Sequence, residues 1–186
     1  NAYYTSKHKN GNSGKFHSLF NDIDNEKILT LQKNVKKLNL HYPEFGQINF
    51  STKDYQNLVP EVSKKINELN KKEKAFVFID PYGYKEVRIS DIKSLLKKGN
   101  SEVLLFLPTH FMFRFIEGGT PESLYEFIEE IVPKDEWPKS ETGLEFIENL
   151  KYGFKKYLGD SIFVDTFVIS REKNQFFCLF FFSSHI

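Results

Sequence analysis

Apolar residues recur along this chain in two alternating patterns. Short continuous runs rich in Val, Ile, Leu and Phe are each followed by a stretch whose apolar positions fall three and four apart. Residues 17–24 predict a short strand ending in the acidic pair Asp22 and Asp24, after which Ile28, Leu31, Val35 and Leu38 repeat at helical spacing. Residues 46–51 predict a second strand that leads through Lys53, Asp54 and Tyr55 into a helix near 58–69, with Val59, Val62, Ile66 and Leu69 on one face. The run Ala75 to Ile79 predicts a third strand, and residues 89–98 a helix that starts near Ser90 and Asp91, where a capping side chain is expected, and stops at Gly99. Residues 102–108 predict a fourth strand, followed by helices at 110–116, 121–131 and 143–158. Two last strands, 160–170 and 175–183, are joined by a link too short for a crossover helix, so they form an antiparallel hairpin.

Strands alternating with helices and closing in a hairpin predict an α/β fold: a mostly parallel sheet with helices on both faces and a C-terminal antiparallel hairpin. Ala75 to Ile79 carries no polar residue, which is the composition of an interior strand covered on both faces. The 186 residues suit one domain with a sizeable core. Residues 1–16, rich in Gly, Asn, Ser and Lys, read as a flexible N-terminal segment, and 17–186 as the α/β domain.

Charge removes one class of function. With 26 Lys and Arg against 25 Asp and Glu, the chain lacks the basic excess of a dedicated nucleic-acid binder, so any such contact relies on a local patch. The single cysteine, Cys178, sits in an apolar run and reads as a small buried hydrophobe. The five histidines are scattered without ligand spacing, so no metal site is expected, and His110 reads as a structural polar group. Glu129 and Glu130 read as solvated surface. No apolar stretch reaches the roughly 20 residues of a membrane span, and a cytoplasmic setting is the default expectation. The 20 phenylalanines are accounted for mostly by a large core.

The candidate chemistry lies where the third strand ends, in Asp80, Pro81, Tyr82 and Gly83. Ligands of parallel sheets bind beyond the carboxyl ends of the strands. There a carboxylate and a carbonyl can accept the hydrogens of an exocyclic amine and aim its lone pair at a methyl donor, while the ring stacks on the base. The alternative is a simple turn, since Pro and Gly are ordinary turn residues.

The segment Phe76 to Lys85, the following helix with Ile89, Ile92, Leu95 and Leu96, the strand from Ser101, the stretch His110 to Phe115 and the closing strand Phe177 to Ser184 together resemble the three-Cys-motif partner (TcmP) family. That family is similar to class I S-adenosylmethionine-dependent methyltransferases, and the likeness spans about residues 17–184. The resemblance implies a Rossmann-like sheet whose last strand lies antiparallel between its neighbours, S-adenosylmethionine as cofactor, and methyl transfer to an amino nitrogen of a nucleobase by Asp80, Pro81 and Tyr82. It implies that Asp24, with Asp22 as the alternative, binds the ribose hydroxyls and that Asp54 accepts from the adenine amine. Tyr84 would form a second stacking wall, and Lys85 and Arg88 would contact phosphate. The family's first strand and glycine-rich loop have no counterpart here, since Gly11 to Gly14 follows no apolar strand, and they are expected upstream of Asn1. Two other readings stay open: a catalytically inactive methyltransferase-like subunit that binds a partner of the three-Cys-motif type, and a different nucleotide-binding α/β protein.

Overall fold

A computed structural model of the chain describes residues 14–40, 46–82, 86–117, 121–133, 136–172 and 175–184. The chain divides into two compact units, Asn1–Leu58 and Val59–Ile186. The expected flexible segment, residues 1–16, lies outside the described residues up to position 13.

In the first unit, β1 (Ser18–Asn21) is followed by α1 (Asn25–Lys37) and β2 (Ile48–Ser51). β1 and β2 pair in parallel, Ser18 opposite Ile48 and Phe20 opposite Phe50, with the two rings stacked 6.0 Å apart. Helix α2 (Tyr55–Glu68) contains the boundary between the units. It begins ahead of the residue 58 expected from its apolar stripe because the Asp54 side chain caps it, its Oδ1 accepting from the N–H of Gln56 at 2.8 Å.

The second unit continues with β3 (Ala75–Ile79), α3 (Ile89–Leu96), β4 (Ser101–Leu107), α4 (Thr109–Glu117), α5 (Glu122–Ile131), α6 (Gly143–Leu158), β5 (Phe163–Glu172) and β6 (Gln175–Ser183). Its sheet has the order β3-β4-β6-β5. β3 and β4 are parallel, whereas β6 is antiparallel to both of its neighbours, β4 and β5. The expected mixed α/β architecture with mostly parallel strands and a closing hairpin is therefore present. Helix α3 ends where expected: Gly99 takes the left-handed φ of 73° and its N–H bonds to Leu96 O at 3.0 Å.

One face of this sheet forms the core. Val103, Leu105 and Leu107 of β4 and Cys178, Phe180 and Phe182 of β6 are buried, and the Phe154 ring of α6 meets Phe180 and Phe182 edge-on at 5.0 and 5.2 Å. Ser101 Oγ bonds to Leu95 O of α3, and Phe176 packs on His110 of α4, so these helices lie on the same face. Helix α5 joins them through Phe127 on Phe154, and α2 through Ser63 Oγ to Ser94 O at 3.1 Å.

Helices were expected on both faces, and here the described residues differ. The opposite face carries Phe76 and Phe78 of β3, 61% and 55% exposed, with half-buried Leu104, Phe106 and Phe181 beside them and Phe167 of β5 at 67%. The expectation that phenylalanine is mostly core holds for Phe127, Phe146, Phe154, Phe180 and Phe182 and fails for this face. Pattern alone cannot tell a strand that is covered twice from one whose second cover lies elsewhere.

Candidate functional site

β3 stops at Ile79 because Pro81 has no N–H to continue a ladder. Asp80 is exposed and its carboxylate has no hydrogen-bond partner among the described residues. Pro81 is half-buried, and the Tyr82 ring stands 94% in solvent. The strand thus presents an exposed carboxylate and an exposed aromatic ring at its carboxyl end. Tyr84 and Lys85, the proposed stacking wall and phosphate contact, lie outside the described residues.

The neighbouring strand brings β4's end alongside, Ile79 standing opposite Leu105. There Pro108 precedes α4, Thr109 is fully buried with an Oγ1 that has no hydrogen-bond partner among the described residues, and the His110 ring is held edge-on by Phe111 and Phe176 at 5.4 and 5.5 Å. His110 is packed as the structural group that the sequence suggested.

Arg88 is exposed and precedes α3, with extended backbone and no side-chain cap. The first N–H groups of that helix are taken by Glu130 of α5, whose two carboxylate oxygens accept from Ile89 and Ser90, each at 2.9 Å. The helix end that would bind an anion beside Arg88 is therefore filled by a protein carboxylate, so a phosphate there would meet the guanidinium alone. Glu130 is no solvated surface residue, and Ser90 and Asp91 are not the cap: both are corrections to the sequence reading.

In the first unit, each carboxylate assigned to the cofactor also serves the local backbone. Asp24 is the N-cap of α1, its Oδ1 accepting from the N–H groups of Glu26 and Lys27 at 2.9 and 3.4 Å. Asp22 Oδ1 accepts from the Asp24 N–H at 2.9 Å while Oδ2 meets Lys27 Nζ at 3.3 Å. That backbone bond, assisted by the lysine, holds the Asp22 carboxyl below its ordinary range. Asp54 caps α2. These capping roles carried a signal, since Asp before an amphipathic run is a helix-start signature. Asp24 keeps Oδ2 without a partner among the described residues, which leaves an acceptor for a ribose hydroxyl; Asp22 has both oxygens engaged.

Among the described residues no group of His, Cys, Asp and Glu is assembled to hold a metal, and no helix is long and apolar enough to cross a membrane. Cys178 is fully buried, and burial pushes its thiol up to about 12, as expected of a packing residue. A groove lined by Val59, Ser63, Asn67 and Asp91 contains none of the predicted site residues. The chain matches no protein-family model, and no curated protein is significantly similar to it.

Proposed function

We propose that this chain is an S-adenosylmethionine-dependent methyltransferase that acts on an amino nitrogen, with a nucleobase as the substrate class. The observation that carries the reading is the position of β6: the final strand runs antiparallel between β4 and β5, and the parallel strand β3 ends in an exposed Asp80-Pro81-Tyr82 tip. A different nucleotide-binding α/β protein gives no reason for that insertion, so it is the weaker alternative. When bound, S-adenosylmethionine supplies an already activated methyl group, so a strong general base is unnecessary.

In this reading the chain's residues orient and hold. The Asp80 carboxylate and the Pro81 carbonyl accept the two amine hydrogens, which fixes the nitrogen lone pair along one direction. The Tyr82 ring stacks on the base, replacing the neighbours that a base loses when it is extruded. Asp24 Oδ2 accepts from a ribose hydroxyl while Oδ1 continues to cap α1. Asp80 fits its role because it is exposed at the carboxyl end of the strand, with no hydrogen-bond partner among the described residues. The cofactor would have to find its remaining contacts outside the residues assigned here.

Calorimetric titration of S-adenosylmethionine into the protein tests the reading. Asp24→Asn is the informative variant: asparagine caps a helix as well as aspartate, so it removes the charge with little change to α1. Micromolar binding that weakens at least tenfold in Asp24→Asn and persists in Asp80→Asn, together with methyl transfer to an oligonucleotide lost in Asp80→Asn, supports the assignment. Absence of binding to the wild type overturns it and leaves the inactive, partner-binding subunit as the better account.

A further inference from the structure

The start of α3 breaks a local rule, and two carboxylates compensate for it. Arg88 stands at the N-cap, where Ser, Thr, Asp or Asn would bond the first turn and where the positive end of the helix dipole disfavours a cation. Its own side chain makes no cap bond. Glu130 of α5 instead accepts from the N–H groups of Ile89 and Ser90 at 2.9 Å each, and the Asp91 carboxylate accepts from the Arg88 backbone. Three successive backbone donors are thereby held by two acidic side chains. Burial raises the Asp91 pKa and the Glu130 charge adds to it, so the two carboxylates repel each other where they meet. A serine or an aspartate at position 88 would cap the helix more simply, so the stability of α3 does not explain the arginine. A sequence that sets local preference aside and compensates from elsewhere does so characteristically at functional positions.

The geometry says what the two carboxylates hold. Val87 and Ile89 are buried on either side of Arg88, whose backbone is extended at φ −99° and ψ 140°. Successive side chains of extended backbone point to opposite sides, so burying both neighbours directs the exposed Arg88 side chain into solvent. A guanidinium on a backbone fixed in this way suits a phosphate, which accepts from two of its N–H groups at once.

We propose that Glu130 and Asp91 are positioning residues that hold Arg88 as an anchor for a phosphate of a nucleic-acid backbone. The proposal rests on the reading of a nucleobase substrate. Glu130 and Asp91 touch no substrate and act through the backbone of residues 88–90.

Binding of a labelled single-stranded DNA or RNA oligonucleotide, measured at several salt concentrations without S-adenosylmethionine, tests it. Arg88→Ala should weaken binding about tenfold and reduce the salt slope by about 0.7, the share of one phosphate on a single strand. Its urea midpoint should be no lower than that of the wild type, because a cation leaves the positive end of the helix. Glu130→Ala should weaken binding and lower the slope in the same way. Glu130→Gln, which keeps one acceptor, should bind about threefold more weakly than the wild type, and it carries the test if Glu130→Ala does not fold. Because Glu130 acts through Arg88, adding either Glu130 variant to Arg88→Ala should weaken binding no further. Wild-type affinity in both Glu130 variants, or losses that multiply in the double variant, would overturn the proposal and leave Glu130 a structural cap. A wild type that binds no oligonucleotide overturns it as well. Failure of the methyltransferase reading is seen separately, as S-adenosylmethionine left unbound by a protein that still binds the oligonucleotide.

Discussion

Glu130 reaches across from α5 to hold the start of α3, its carboxylate accepting from the backbone N–H of Ile89 and of Ser90 at 2.9 Å each. Ile89 is fully buried, so its N–H has little access to water as a substitute partner. Glu130→Ala should therefore cost about 1–2 kcal/mol, the range for losing a helix cap with a favourable charge at the positive end. Glu130→Gln, which keeps one acceptor, should cost less. The urea midpoint should fall with an unchanged slope; equal midpoints for wild type and Glu130→Ala would show that the bonds contribute nothing net.

How much was legible follows from the range of each interaction. Strand and helix positions were readable because they depend on neighbours in sequence: Gly143–Leu158 and Gln175–Ser183 stand where the pattern put them. The N-cap at Thr142, paired reciprocally with Glu145, is equally local and carries the Thr-x-x-Glu signature. Glu130 capping a helix that starts about 40 residues earlier was not readable, since nothing near either residue encodes the meeting. The same limit applied to β3: its five apolar residues announced burial on both faces, while Phe76 and Phe78 stand 61% and 55% exposed on one of them. The Asp80 tip was legible as an abrupt change from apolar run to carboxylate, proline and ring, and the exposure of Asp80 and Tyr82 is compatible with a ligand-facing role.

Gly153 lies where α6 passes α5. A Cβ there would come within 2.5 Å of Ile131 Cγ2 and 2.7 Å of Val132 Cγ2, both stiff β-branched side chains in a buried contact. Gly153→Ala should gain helix propensity yet destabilise overall, by about 1–3 kcal/mol, because overpacking outweighs the few tenths to 1 kcal/mol that alanine gains over glycine in a helix. A melting temperature equal to or above the wild type would mean that the helices separate at little cost.

Asp91 is half-buried, and burial, reinforced by Glu130, raises its pKa above the ordinary 3.8 despite the Arg88 backbone bond and charge. The folded state then holds the proton to higher pH than the unfolded state does. Its contribution to stability is therefore lost as pH rises from 3.8 through the raised folded value. Asp91→Asn should remove that loss. The urea midpoint of the variant should gain on the wild type as pH climbs through this window and stay ahead at pH 7; a variant less stable at pH 7 would mean that the Arg88 contact outweighs desolvation.

Cys178 tests the burial of the sheet from the inside. With its thiol pushed up to about 12 and its side chain fully enclosed, thiolate at pH 8 is scarce and unreachable. Iodoacetamide should leave the native protein unmodified over hours and alkylate it within minutes in denaturant, with intact mass as the readout. Rapid labelling of the native protein would reveal a sheet that opens readily at β6.

Asp80 and Tyr82 stand at exposed positions, and this makes them useful probes. Asp80 has no hydrogen-bond partner among the described residues, and Tyr82 is almost wholly in solvent. Substitutions at exposed sites away from caps and cores usually stay within about 0.5 kcal/mol. Asp80→Asn and Tyr82→Ala should therefore unfold at the wild-type urea midpoint, and any loss of ligand binding or turnover in them reports contact with the ligand, not damage to the sheet. Losing more than about 1 kcal/mol in either variant would mean that the tip supports the sheet end. An activity defect there would then say little about chemistry.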